Sequence, residues 1–203
     1  MSQVLAKLAH PLRRGEVEDL RGLVIDDPID LAGVALPNLD FTGTTFNAPV
    51  ALRGGAVFQG LAWFSDCTFN APANFSGATF LSDARFDKAR FRRGATFSGV
   101  EFHGVAGFDQ AEFGDAAFLD RMTCYGSLSL DHTRFAGTAS LQDSECFGGL
   151  WGNRTVFAGR ADLRGLEVHG RTWLVGAELA DDATPAAANR LLGSIRSYGY
   201  HWV

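Results

Sequence analysis

Large apolar residues return along this chain at a fixed interval, with small and polar residues between them. Phe64, Phe86 and Phe108 lie 22 residues apart and lead on to Leu130. Phe69, Phe91, Phe113, Phe135 and Phe157 form a second series at the same spacing. Leu52, Phe75, Phe97, Leu119, Leu141 and Leu163 form a third, its first step one residue longer. Phe58, Phe80, Phe102, Cys124, Cys146 and Val168 form the fourth. The four series follow one another at steps of 5, 6, 5 and 6 residues. Two residues before the third series stands a column of small residues, Ala73, Ala95, Ala117, Ala139 and Ala161. Residues two apart on an extended chain share a side, so the large residue and the small one before it face inward. The residue between them faces out. Self-similarity at this period predicts a solenoid, in which each turn of chain buries its apolar residues only against its neighbours. Four short sides per turn make it an all-β, roughly square parallel coil.

Gly152 breaks the first series where a large residue is required. Leu150, two residues earlier, and Leu128, one coil before that, return the missing volume, as close packing demands. Within each coil the local pattern is a small residue, any residue, Phe or Leu, then two more. It reads Ala-Asn-Phe-Ser-Gly at 73–77, Ala-Thr-Phe-Leu-Ser at 78–82, Ala-Arg-Phe-Asp-Lys at 84–88 and Ala-Thr-Phe-Ser-Gly at 95–99. Over about residues 39–180 the chain resembles the pentapeptide-repeat family. The resemblance implies a right-handed quadrilateral β-helix. The family's usual coil is about 20 residues, so extra residues are expected at bulged corners, at 70–72, 92–94, 114–116, 136–138 and 158–160.

Three segments are expected: a non-repetitive N-terminal cap (1–36), the β-helix (37–180), and a C-terminal helix with an aromatic tail (181–203). Ser2 fits the cap of a short helix from Gln3 to Ala9, ended before Pro11. Thr184-Pro185 fits the start of a second helix, after Asp181 and Asp182. Leu191, Leu192, Ile195 and Tyr198 would form its apolar face, with Gly199 as the stop. That face serves either as a lid over the last coil or as a homodimer contact. The resemblance supports the second use, because in several family members a C-terminal helix joins two rods. Monomer and homodimer both stay open.

Composition narrows the function. With 17 Phe and 24 Gly the chain suits tight corners around an aromatic interior. A net charge of −5 argues against direct binding of nucleic-acid backbones. No apolar run approaches a membrane span, and no continuous apolar stretch follows Lys7, Arg13 and Arg14, so neither membrane nor signal peptide is expected. Three cysteines without metal-site spacing fit a reducing compartment, and the resemblance implies a bacterial, cytoplasmic one. Cys124 and Cys146 are expected to be reduced core neighbours.

Residues 22 apart become surface neighbours roughly 4.8 Å apart. Arg90, Glu112 and Arg134 alternate in charge, which reads as surface support. Asp87, Asp109 and Asp131, followed by Asn153, form an acidic strip. It is read as a face compensated by Lys88, His132 and Arg154, an imitation of DNA phosphates, or a weak cation site. Leu81, His103, Tyr125, Phe147 and His169 form an outward aromatic stripe, a partner surface unless a terminal segment covers it. Trp151 and Trp173 should stack in adjacent coils, unless Gly152 lets Trp151 turn inward.

No phosphate loop, nucleophile elbow or paired metal-ligand motif is present in the sequence, so no cofactor or metal is expected. The one acid–base pairing in register is His132 beside Asp131, an unfavoured enzyme site on a convex rod. The leading expectation is a non-catalytic scaffold that binds a protein of unknown identity. The runner-up comes from the resemblance: some members imitate B-form DNA and bind a type II topoisomerase such as gyrase. Residues 40–180 hold 15 acidic and 12 basic residues, a weak charge for such imitation.

Overall fold

A computed structural model of the chain describes residues 16–180, 184 and 186–203. The expected Gln3–Ala9 helix, together with Asp181, Asp182 and Pro185, lies outside the described residues. Short strands, β1 (Val17–Asp19) to β32 (His201–Trp202), wind into a square parallel solenoid. Its four faces are parallel sheets of nine, eight, seven and eight strands, here A to D in the order the chain visits them. The register follows the 22-residue spacing: Ala84 pairs with Ala106, Phe69 with Phe91, Ala73 with Ala95, and Phe80 with Phe102.

All four series of large residues point inward. Phe64, Phe69, Phe75, Phe80, Phe86, Phe91, Phe97 and Phe102 are fully buried. Within a series the rings stack, as at Phe75–Phe97 with centroids 4.8 Å apart and planes 4° from parallel. Between series they meet edge to face, as at Phe97–Phe108 at 5.1 Å and 86°. Both arrangements suit the aromatic quadrupole. Leu128 and Leu150 are buried beside Gly152, as the volume argument requires. A Cβ on Gly152 would come 3.1 Å from Leu174 Cδ2, so it is Leu174 of the next coil that crowds this position. Cys67, Cys124 and Cys146 are free and buried. At Thr44, Thr133, Ser144 and Thr155 the small inward residue donates its hydroxyl to a carbonyl of the preceding coil, as Thr133 does to Phe108 at 2.6 Å and Ser144 to Leu119 at 2.7 Å.

The corners explain the 5-6-5-6 rhythm. After the large residues of sheets A and C the chain turns tightly, with Ala89 N–H donating to Phe86 at 3.0 Å and Ala78 N–H to Phe75 at 3.0 Å. After those of sheets B and D it bends more widely, and there the additional residue sits.

The solenoid starts earlier than residue 37. Strands at 17–19, 24–25, 29–30 and 35–36 pair with the next coil on all four faces, so the expected cap contains a coil. That coil is one residue shorter on sheet A, where Val17 pairs with Asn38, and it carries Leu20, Ile25 and Leu36 in place of Phe. The long first step of the third series is absorbed by Gly54 and Gly55, consecutive residues at φ 60° and 85°.

At the other end, α1 (Ala186–Gly193) begins where expected: Thr184 Oγ1 accepts from Ala186 N–H at 3.3 Å. It ends at Gly193, not Gly199, because the chain then rejoins the solenoid. β31 (Arg196–Ser197) adds to sheet D and β32 to sheet A. Ala187, Ala188, Leu191 and Ile195 are buried against the core, and Leu192 packs beside them. Leu191 and Ile195 line a small internal cavity with Leu163, Leu166 and Leu174. The helix packs Leu191 and Ile195 onto the last coil, while Leu192 stays partly buried and Tyr198 exposed. Tyr198 lies beyond the helix. No described helix is long and apolar enough to cross a membrane.

Candidate functional site

The outward residues of sheets D and A meet at a corner made of glycine. Gly104, Gly126, Gly148, Gly170 and Gly199 stack there, each against the backbone of the coil before it. A Cβ on Gly170 would lie 2.6 Å from the Gly148 carbonyl carbon, so no larger residue fits at this separation of coils. The glycine column leaves the corner narrow, and aromatic ladders rise on either side of it.

On sheet D the stripe His103, Tyr125, Phe147 and His169 is a continuous stack, with centroids 4.8, 5.6 and 4.9 Å apart. Tyr198 adds a fifth ring, 4.9 Å from His169. On sheet A, Trp151 and Trp173 stack at 3.9 Å, and Trp202 continues them at 4.4 Å. Trp151 therefore points outward. The Arg171 guanidinium lies 5.8 Å from the Trp173 ring, within cation–π reach. Among the described residues no terminal segment covers the stripe. The tail extends both ladders instead, and Tyr125, Phe147, Tyr198 and Trp202 remain 50, 41, 63 and 42% exposed. Leu81 continues the file below His103 and is exposed as well.

Sequence reading placed the His103–His169 stripe and the Trp151–Trp173 pair but missed Trp202 and the place of Tyr198 in the stack. The helix lengthens the last interval, so the 22-residue period fails there. A shorter signal survives it. Phe147 and Trp151, His169 and Trp173, and Tyr198 and Trp202 are each four residues apart.

Beside the sheet D ladder runs a polar column. His103 Nε2 lies 3.5 Å from Glu101, and His169 Nε2 lies 2.8 Å from Glu145 Oε1. Arg196 donates to Glu167 Oε1 at 2.8 Å, and the Tyr198 hydroxyl lies 3.5 Å from Glu167 Oε2. Glu145, Glu167 and His169 thereby converge, their ligand-type atoms all within 4.8 Å of one another. Glu145 and Glu167 are 22 residues apart, so the period could have shown this cluster too.

The acidic strip lies on the next corner, between sheets A and B, and is turned along the rod. Asp87 Oδ1 accepts from Asp109 N–H at 3.2 Å, and Asp131 Oδ1 from Asn153 N–H at 2.8 Å. Asp109 also accepts from the Ser129 hydroxyl. Burial, and then the neighbouring Asp109 charge, push the Asp87 carboxyl above its ordinary range. These carboxylates tie one coil to the next. Asp131 is engaged with Asn153, through both its backbone and its amide, and no hydrogen bond joins it to His132. His132 sits at the tight turn with φ 59° and is exposed. The acid–base pairing suggested by register is therefore not formed. Arg90 and Glu112 do pair, at 3.7 Å on the surface.

Compared with known families, the chain matches the pentapeptide repeats (9 copies) over residues 54–101 and 86–120. No curated protein matches it.

Proposed function

We propose that this chain, a pentapeptide-repeat β-solenoid, is a non-catalytic protein-binding rod whose contact surface is the aromatic edge formed by His103, Tyr125, Phe147, His169, Tyr198 and the indoles Trp151, Trp173 and Trp202. The observation that carries the reading is the pair of exposed ring ladders flanking a column of stacked glycines. Rings on a rigid sheet lose little conformational entropy on binding, and Trp and Tyr are the residue types most enriched at binding hot spots. Contiguous exposed apolar surface of this kind marks interaction sites on soluble proteins.

A gyrase-directed imitation of DNA has less support. Asp87 and Asp131 of its acidic strip accept from backbone N–H groups of neighbouring coils, and Lys88 lies exposed directly beside Asp87. A supercoiling assay with gyrase, with and without fluoroquinolone, is expected to show no effect at micromolar protein.

The test compares proteins retained by the wild type and by a Tyr125→Ser, Phe147→Ser, Trp151→Ser, Trp173→Ser variant with unchanged circular dichroism. A partner held by the first and lost by the second supports the aromatic edge. Identical retained sets remove it.

A further inference from the structure

We propose that Glu145, Glu167 and His169 form a binding site for a divalent transition-metal ion such as Zn²⁺ on the outer face of sheet D. The three residues come from adjacent paired strands, β24 (Glu145–Cys146) and β28 (Glu167–Val168), with His169 directly after the second. They are held by the rigid part of the fold, and among the described residues they are the one set of three such groups that converges.

Three features make the set more than neighbouring charges. The first is the donor chemistry. One imidazole nitrogen with two carboxylates is a ligand set of intermediate softness, suited to Zn²⁺ or Co²⁺, whereas Ca²⁺ and Mg²⁺ take oxygen donors almost exclusively.

The second is distance. Two ligands at about 2.1 Å from one ion stand roughly 3.0–3.4 Å apart at right-angled or tetrahedral geometry. His169 Nε2 and Glu145 Oε1 are 2.8 Å apart, so an ion enters with a small outward adjustment. Glu167 keeps Oε2 for the ion, since Arg196 holds Oε1 and the Tyr198 hydroxyl reaches Oε2 only at 3.5 Å.

The third is orientation. The His169 ring is clamped between Phe147 and Tyr198, with centroids 4.9 Å away on both sides and planes 11° and 16° from parallel. A ligand whose ring is already fixed loses less freedom on binding, the role that supporting residues play around metal sites. The same column supplies an internal control. His103 also faces a glutamate, Glu101, but Thr79 stands one coil below, where Glu145 stands below Glu167.

The experiment is a calorimetric titration of the full chain with Zn²⁺, with Co²⁺ as an optical probe. The wild type is expected to bind one Zn²⁺, and Co²⁺ to give visible absorption above that of the free aqua ion and reversed by Zn²⁺. His169→Ala and Glu145→Gln should each weaken Zn²⁺ binding at least about tenfold, whereas His103→Ala should leave it unchanged. Circular dichroism of each variant confirms that the fold persists. The proposal is overturned by wild-type affinity in both folded ligand variants, by equal weakening in His103→Ala, or by a Co²⁺ spectrum identical to that of the aqua ion.

Discussion

At the scale of single residues, inward positions carry stability and several outward ones act as ties between coils. Phe97 is fully buried, stacked on Phe75 and edge-on to Phe86 at 5.2 Å. Phe97→Ala removes those contacts from a rigid interior and is expected to cost about 3–5 kcal/mol in chemical denaturation. Asp87 sets a pH dependence. Its folded-state carboxyl titrates above the unfolded value of about 3.9. Below that value the group is neutral in both states. As the pH rises through the raised folded value, ionisation favours the unfolded chain. Asp87→Asn keeps the acceptor for Asp109 N–H, so it should melt higher than wild type at pH 7 and equal it near pH 3. The three thiols should be inert to thiol reagents in the native protein and react on unfolding. Burial pushes Cys67 up to about 12, and Cys124 is raised by its hydrogen bond with Cys146 as well as by burial. The inward positions were legible in the sequence because burial imposes size and apolarity. The role of Asp87, Asp109 and Asp131 was not. Periodicity puts them in file, but whether a carboxylate faces solvent or the next coil's N–H depends on its rotamer.

At the scale of elements, the repeat was readable wherever the coil keeps its length. The first coil escaped because it is one residue short and aliphatic, so neither period nor Phe marks it. The tail escaped because α1 stretches the last interval. The helix start was legible from Thr184, while its end was misplaced: Gly199 is a corner glycine of the last coil, pressed against Gly170. Leu191→Ala should lower stability by about 2–4 kcal/mol by opening the lid, with the mass in sedimentation equilibrium unchanged from wild type. A mass that halves would instead show the helix to be a subunit contact. Gly148→Ala places a methyl group against the Gly126 backbone, between two aromatic ladders. It should cost about 2–3 kcal/mol or more, far beyond what helix or strand propensity explains.

At the scale of the whole molecule, the chain is a rod whose faces are ruled at one coil per step. This makes its surface chemistry linear: files of rings, of carboxylates, or of alternating charge. Such a surface suits recognition by another macromolecule better than catalysis, which needs groups converging around a substrate. The sequence foretold the square coil and all but the last ring of each aromatic ladder, since both follow from the period. It could not identify a partner, because a partner's shape leaves no period in this chain. The central claim is that every twenty-second residue lies directly on its predecessor. Spin labels at Arg90→Cys and Glu112→Cys, which pair across adjacent coils, test it most directly, with Arg90→Cys and Glu101→Cys as the half-coil comparison on the opposite face. Strong dipolar broadening for the first pair and much weaker broadening for the second is the predicted result. Equal spectra, or stronger coupling in the half-coil pair, would contradict the solenoid.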